Sequence, residues 1–306
     1  TPFCCPPGAG RSDMKPPHGA AALSDAFRTF ASATKPAAPR TTPIGKVYSR
    51  SIGAAALGCF FYVPPRRDLS RPPLICVHGI SRNALEHVYA FRDLADEFGF
   101  PVVAPVFGRT SYRGYQTLGQ KSGWNALAAF DGAADELAAD FGAPFINLFG
   151  FSGGGQFAHR YAMARPERVR ALSIAAAGWY TFPDAAARYP RGYAGDRPPG
   201  ADIAAFLTLP MLVAVGSADR ARDATLRQGK RINAQQGADR VERARNWVGA
   251  INAAAGNRGA PPPAIYTELS GATHAFSDCV AAGLARCVAT FFVHRQPREN
   301  RAPEGT

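Results

Sequence analysis

Short apolar runs rich in Val, Ile and Phe alternate with longer amphipathic segments from residue 46 onward. A short apolar run is typical of a strand buried on both faces, and an amphipathic segment is typical of a helix that covers such strands. Strands joined by helices run parallel, because each helix carries the chain back along one face of the sheet. The pattern therefore predicts an α/β fold.

The predicted strands are residues 46–51, 57–63, 74–78, 101–106, 145–149, 169–176, 211–215 and 264–269. The predicted helices are residues 84–98, 125–141, 153–164, 239–254 and 275–292. No helix separates the first two strands, so we expect them to form an antiparallel hairpin at the edge of the sheet. The remaining strands are expected to follow helical crossovers, which gives a mostly parallel eight-stranded sheet with helices on both faces.

This pattern predicts one domain over residues 46–292. The Pro- and Ala-rich residues 1–45 and the residues 293–306 read as flexible ends. Within the domain, residues 178–209 are long for a plain connection and hold several aromatic side chains among Pro and Gly. They predict a short lid or pocket wall, and the alternative is a surface loop whose aromatic side chains pack down on the sheet.

Composition narrows the class of protein. The chain has 306 residues, 46% of them apolar, which suits a large buried core and argues against disorder. Its formal net charge is +12, mostly from arginine. Such an excess of positive charge can indicate a nucleic acid, an anionic surface or an anionic substrate as the partner. Because it has no run of consecutive basic residues and no nucleic-acid-binding motif, we expect a solvated arginine-rich surface and no nucleic-acid partner.

The longest apolar run, Ile52 to Val63, contains two glycines and is too short for a membrane span, so we expect none. The six cysteines stand at positions 4, 5, 59, 76, 279 and 287 without a C-x-x-C pair, which predicts neither a metal site nor a disulfide framework. Without a hydrophobic signal core, a cytoplasmic location is favoured. A processed start stays open, because the chain begins at Thr1.

The strongest local motif is Gly150-Phe-Ser152-Gly-Gly154, between a predicted strand and a predicted helix. A serine on a sharp strand-to-helix turn needs glycine two positions to either side, because a side chain there would clash with the neighbouring strand and helix. Such a turn presents the serine hydroxyl at the edge of the sheet. Ser152 is therefore the candidate nucleophile.

A serine hydroxyl is a weak nucleophile unless a base accepts its proton. Six histidines are available: His18 and His294 lie in or beside the ends of the chain, His87 and His159 lie on helices, and His78 ends a strand. His274 stands in the loop between the last strand and the last helix, where the nucleophile can be reached. His274 is the candidate base.

An acid from another loop must orient that imidazole. Asp219 follows a buried strand in the sequence Gly-Ser-Ala-Asp, and Asp223, four residues later, is the alternative. An ordinary turn or helix-capping aspartate is the competing interpretation of Asp219.

The oxyanion of the reaction needs two backbone donors. Gly153 opens the helix after Ser152, and Ile80 follows the strand end His78-Gly79. We expect the N–H groups of Ile80 and Gly153 to be these donors, and His78 to brace the turn.

The elbow around Ser152, the upstream His-Gly strand end, the Gly-Ser-Ala-Asp219 turn and the final Gly-Ala-Thr-His274 loop, in this order, resemble the α/β-hydrolase superfamily. The resemblance covers about residues 46 to 292 and is strongest to compact esterases of the dienelactone-hydrolase and polyhydroxyalkanoate-depolymerase groups. It implies a triad of Ser152, Asp219 and His274. The chain lacks a His-Gly-Gly-Gly motif and has serine where the dienelactone hydrolases have cysteine.

This resemblance implies a serine hydrolase that cleaves carboxylic esters, small or oligomeric, through an acyl-enzyme, with no metal or organic cofactor. Amides, peptides or thioesters are alternative substrates for the same chemistry, and a non-catalytic binding protein is a third hypothesis. Trp179 and Tyr180 are candidates for an apolar pocket wall, and Arg82 for a contact with a substrate carboxylate. The sequence does not assign the oligomeric state.

Overall fold

The structure is a computed structural model that describes residues 42–119, 125–195, 198 and 200–294. Most of the predicted extension 1–45 and of the predicted tail 293–306 lies outside these residues. The strands are β1 Val47–Ile52, β2 Leu57–Tyr62, β3 Leu74–Val77, β4 Val102–Pro105, β5 Ile146–Phe151, β6 Val169–Ala175, β7 Met211–Gly216 and β8 Ala264–Leu269. The helices are α1 Ala84–Phe98, α2 Ala126–Phe141, α3 Gly153–Ala164, α4 Ile203–Phe206, α5 Lys230–Gln236, α6 Arg240–Gly256, α7 Phe276–Ala281 and α8 Leu284–Val293.

All eight strands form one sheet in the order β1-β2-β4-β3-β5-β6-β7-β8. β1 and β2 pair antiparallel from Val47 opposite Tyr62 to Ile52 opposite Leu57, which confirms the predicted edge hairpin. β2 also runs antiparallel to β4. From β4 to β8 the strands are parallel, so the predicted mostly parallel eight-stranded sheet is confirmed.

Three features of the chain between and after the strands differ from the prediction. The predicted helix 275–292 is two helices, α7 and α8, because the chain turns at Gly283, whose φ of 92° favours glycine. β3 follows β2 without a helix, since β2 runs antiparallel to the main sheet and needs no crossover. The short helices α4 and α5 were not predicted, because each is too short to show an amphipathic period.

Helices cover both faces of the sheet. On one face, α1 and α8 close over a buried cluster that includes Phe91, Phe149 and Phe292. On the other face, α2, α3 and α6 close over a larger cluster that includes Phe130, Phe157 and Trp247. Because both faces are covered, every residue of β5 is buried, which explains its continuous apolar run.

The chain reverses its direction across the sheet at β3. From β3 it crosses to β4 on one side, and from β4 it returns to β5 on the other side of β3. At such a reversal the loops that leave two neighbouring strand ends diverge and leave a crevice outside the carboxyl ends of the strands. The carboxyl ends of β3 and β5 carry His78-Gly79 and Ser152, so the motifs of the sequence meet at this crevice.

No helix of the described residues is long and apolar enough to cross a membrane. Cysteines 59, 76, 279 and 287 are buried and form no disulfide within the described residues, and positions 4 and 5 lie outside these residues.

Three histidines in the interior are held in the neutral form. Burial lowers the pKa of His78 to about 4 and that of His87 to about 3. Burial, with a smaller effect of the neighbouring Arg160 cation, also holds the pKa of His159 well below its ordinary value. In the unfolded chain all three bind a proton near pH 6.5, so below this pH the unfolded state binds more protons than the folded state.

The free energy of unfolding should therefore fall as the pH is lowered from about 6.5 toward about 4, by on the order of 2 kcal/mol each for His78 and His87 at pH 5. His87 tests this directly, because its ring packs 4.1 Å from the ring of Phe276 and finds no hydrogen-bond partner among the described residues. We expect His87→Leu to lose less stability than the wild type between about pH 7.5 and pH 5 in urea unfolding. His294→Gln is the control, because His294 is exposed. If both variants reduced the pH dependence of the free energy of unfolding equally, the effect could not be assigned to the buried His87.

Candidate active site

Ser152 sits on a strained turn between β5 and α3. Its φ of 52° and ψ of −113° lie outside the backbone conformations that residues with a side chain favour. The turn leaves no room on either side: a Cβ on Gly154 would lie 1.9 Å from the carbonyl oxygen of Val77, and one on Gly150 would lie 2.2 Å from the carbonyl oxygen of Gly154. The two glycines of the motif are therefore required by space, as the sequence predicts.

The candidate base lies beside this serine. His274, in the loop between β8 and α7, places its Nε2 3.1 Å from Ser152 Oγ. The ring of Phe151 stacks on the imidazole at 5.7 Å and limits its orientation. About a quarter of the His274 side chain is exposed, so a substrate can reach the pair from solvent.

Asp219 is the candidate acid that contacts His274. Its Oδ2 lies 2.7 Å from His274 Nδ1, and the residue is 1% exposed. Asp223, the alternative, instead accepts hydrogen bonds from the backbone of Thr225 and Leu226 and caps its own loop. Of the two candidates, the structure brings Asp219 to His274.

A second partner of Asp219 was not predicted from the sequence. Arg240, the first residue of α6, donates to Asp219 Oδ1 at 3.2 Å, and its side chain is almost fully buried. It also donates to Thr225 Oγ1 at 2.6 Å and lies 3.6 Å from Asp223. The acid therefore shares its charge between an imidazole and a guanidinium, and each carboxylate oxygen faces one of them.

The proposed oxyanion donors lie against each other. A Cβ on Gly153 would lie 3.3 Å from the backbone nitrogen of Ile80, so the two backbones are in close contact. Gly153 is the first residue of α3, and its N–H has no acceptor within the helix. The positive end of the helix dipole adds to the attraction for a negative oxygen here.

His78 and Tyr115 hold the turn that carries Ile80. The N–H of Phe107 donates to His78 Nε2 at 3.0 Å, so this nitrogen is unprotonated and the Nδ1–H donates to the carbonyl of Gly79 at 2.8 Å. The hydroxyl of Tyr115 donates to the carbonyl of His78 at 2.9 Å. The same hydroxyl would lie 2.7 Å from a Cβ on Gly153, so it reaches the floor of the oxyanion site. Sequence reasoning missed Tyr115, since no local pattern links it to the motif.

The three candidate substrate contacts lie in different settings. Arg82 donates to the carbonyls of Ile80 at 2.7 Å and Phe107 at 3.0 Å, so it supports the oxyanion loop. Trp179 is buried, with only 6% of its surface exposed to solvent. Tyr180 is fully buried and stacks on Trp247 at 5.0 Å, so it does not line an open pocket. For Tyr180 the structure agrees with the alternative interpretation, an aromatic side chain that packs down on the sheet.

Within the described residues, no group of three or more His, Cys, Asp or Glu side chains is arranged to hold a metal ion. The polar groups at the crevice are instead a hydroxyl, an imidazole, a carboxylate and backbone amides. This set of groups suits nucleophilic attack on a carbonyl.

The chain is similar to solved structures of hydrolases. It is 26% identical to LpqC, a poly(3-hydroxybutyrate) depolymerase from Bordetella parapertussis, with a TM-score of 0.66, over 83% of this chain and 92% of that one. It is 23% identical to poly(aspartic acid) hydrolase-1 from Sphingomonas sp. KT-1, with a TM-score of 0.69, over 82% and 100% of the two chains. For an S-formylglutathione hydrolase from Agrobacterium tumefaciens the identity is 18% and the TM-score 0.53, over 82% and 98%.

No family model matches the sequence, and no curated protein matches it. The structural similarities, together with the strand order and the helices on both faces, confirm the predicted α/β-hydrolase fold.

The contact between Arg240 and Asp219 predicts how the site responds to pH. In Arg240→Met the full charge of Asp219 faces His274 and favours the protonated imidazole, which cannot accept the proton of Ser152. We expect the acid limb of the kcat/KM profile for ester hydrolysis to move to higher pH. The variant also leaves a buried carboxylate with one partner fewer, so it should unfold at lower urea concentration.

Arg245→Met is the matched control, because Arg245 lies on the same helix but is exposed and pairs with Glu268 at the surface. It should leave the acid limb in place. An unchanged acid limb in folded Arg240→Met would show that Arg240 only supports the fold.

Proposed function

We propose that this chain, whose fold is that of the α/β-hydrolases, is a serine hydrolase that cleaves carboxylic esters through an acyl-enzyme. One observation carries the proposal. Ser152 Oγ, His274 and Asp219 form a continuous chain of hydrogen bonds of 3.1 and 2.7 Å, and it starts on a strained turn beside two backbone amides. A packing role for Ser152 would need neither the strain nor the aligned imidazole.

In the first step, His274 Nε2 accepts the proton of Ser152 Oγ while the oxygen attacks the carbonyl carbon of the ester. The carbonyl oxygen becomes an oxyanion, which the N–H groups of Ile80 and Gly153 stabilise. The imidazolium then donates its proton to the departing alcohol oxygen, the carbon–oxygen bond breaks, and the acyl group stays on Ser152.

In the second step, water takes the place of the alcohol. His274 accepts a proton from the water as its oxygen attacks the acyl carbon, and the same two amides stabilise the second oxyanion. The bond to Ser152 breaks, the serine oxygen recovers its proton from His274, and the carboxylic acid leaves. Asp219 fixes the tautomer of the imidazole throughout, with its charge shared with Arg240.

The similar structures support a hydrolase and leave the scissile bond open. Their names describe a depolymerase of a polyester, a hydrolase of poly(aspartic acid) and a hydrolase of S-formylglutathione. We favour esters as the substrates because, of these three proteins, the polyester depolymerase is the most similar to this chain in sequence. The resemblance to esterases also rests on the same motifs. Amides and thioesters are the alternatives, since the same serine chemistry acts on them.

The test is hydrolysis of a panel of phenyl and ethyl esters by purified protein. Because Ser152→Ala removes the nucleophile and leaves the binding site, it should lower kcat by about 10³ to 10⁶. A parallel panel of anilides and thioesters identifies the preferred bond.

Ser49→Ala is the control, since Ser49 is exposed on the edge strand β1. It should match the wild type. If folded Ser152→Ala hydrolysed the best substrate at the wild-type rate, another residue would have to be the nucleophile.

A further inference from the structure

Arg160, on α3, is a fully buried cation whose contacts are all with neutral groups. It donates to Thr181 Oγ1 at 2.9 Å and to the carbonyls of Gln116 at 2.6 Å and Gln156 at 3.2 Å. Within the described ranges no carboxylate pairs with it, and its Nη2 has no hydrogen-bond partner. Burial lowers the pKa of Arg160 to about 10, which expresses the cost of holding this charge away from water.

A second guanidinium lies close to the first. The Cζ atoms of Arg160 and Arg227 lie 4.6 and 4.8 Å from the ring centre of Trp179. Arg227 is exposed, and among the described residues no acidic group pairs with it either. Two like charges on one aromatic ring repel each other, so the arrangement leaves an excess of positive potential at Trp179.

These charges lie at the same end of α3 as the nucleophile. Arg160 follows Ser152 by about two helical turns, but its side chain runs back toward the start of α3, as its bond to the carbonyl of Gln156 shows. Gln156 in turn donates its backbone N–H to the carbonyl of Ser152 at 3.1 Å. The guanidinium therefore contacts the first turn of α3, the helix that follows Ser152 directly.

Two more arginines lie on the other side of the oxyanion loop. The Cζ of Arg82 lies 5.1 Å from the ring centre of Tyr115, whose hydroxyl reaches Gly153. Burial lowers the pKa of Arg82; Tyr115 opposes this shift, and the charge of Arg109 adds to it, so Arg109 is close enough to repel Arg82. Arg82 and Arg109 also have no carboxylate partner in the part of the chain that the structure describes. We call Arg82, Arg109, Arg160 and Arg227 the arginine group.

Many arginines away from the crevice are paired. The pairs are Arg50 with Glu136, Arg165 with Asp131, Arg168 with Asp135, Arg245 with Glu268 and Arg286 with Glu97. The chain thus neutralises these five arginines with its own acids, whereas none of the four arginines of the arginine group has an acid partner among the described residues. A substrate can supply the missing negative charge.

We propose that the arginine group binds a carboxylate on the acyl side of the ester, so that the substrates of this site are anionic esters. This inference rests on the proposed function and names its substrate class. Arg227 and Arg109 are exposed and can contact the carboxylate directly, because a guanidinium donates two parallel hydrogen bonds to it. Arg160 acts from beneath Trp179, where it holds the ring in place and adds positive potential.

The experiment compares two esters of the same shape: the monophenyl ester of adipic acid and the phenyl ester in which an isopropyl group replaces its carboxylate. The measured quantity is the ratio of their kcat/KM values. In the wild type we expect the anionic ester to be favoured by roughly 10-fold or more, the size of one charge-assisted contact. Added NaCl should reduce the ratio, because salt screens exposed charges.

Arg227→Gln and Arg109→Gln should each reduce the ratio by about 3-fold, and the double variant should bring it to about one. Arg258→Gln is the matched control, since Arg258 is exposed in the loop before β8, at the amino ends of the parallel strands and away from the crevice, and donates to the carbonyl of Ala254. It should keep the wild-type ratio and its salt dependence.

Two inhibitors distinguish a single carboxylate from a polymer. The inhibition constants of adipate and polyacrylate are compared per carboxylate. Equal values indicate a substrate with one anionic group, whereas much stronger inhibition by polyacrylate indicates an anionic chain. Either result supports the inference. No inhibition by either compound, with an unchanged ratio in both variants, would overturn it.

Hydrolysis of the neutral ester separates this failure from a failure of the proposed function. A protein that hydrolyses the neutral ester as well as the anionic one is still a serine hydrolase, but not one that selects anionic substrates. A folded protein that hydrolyses neither ester nor any member of the ester, anilide and thioester panel would refute both.

Discussion

The backbone of Ser152 is the constraint on which the rest of the site depends. The turn from β5 into α3 is so tight that Gly150 and Gly154 have no space for a Cβ, and the serine between them is left at a positive φ. This geometry lifts the hydroxyl out of the sheet, directs the first amide of α3 toward the same point and brings the strand end of β3 alongside. The proposed base, the proposed oxyanion donors and the crevice are arranged around a position that the packing of two glycines determines.

Charge is distributed around that position in a consistent way. The negative charge of Asp219 is shared between His274 and Arg240, and the Arg240 cation offsets it. The positive charges of the arginine group have no such partner among the described residues. The positive end of α3 points to the same place. The crevice is therefore electropositive, which suits the oxyanion of the proposed reaction and a carboxylate on its substrate.

Sequence reasoning worked where the signal was local. The alternation of strands and helices predicted the sheet, and the Gly-x-Ser-x-Gly turn and the loop positions of Asp219 and His274 predicted which side chains would meet. It failed where contacts are long-range or set by packing: Arg240 and Tyr115 reach the site from distant segments without a motif. Tyr180 has the pattern of a pocket aromatic, yet it is buried because Trp247 provides a stacking surface beneath it.

The central claim is that Ser152 is an activated nucleophile, and covalent labelling tests it most directly. Purified wild-type protein treated with a fluorophosphonate probe, followed by peptide mass mapping, should carry the label on Ser152 alone. Folded Ser152→Ala should carry none, since no other serine has an imidazole aligned with it among the described residues. A folded wild-type protein that is not labelled, or is labelled equally in the variant, would contradict the account.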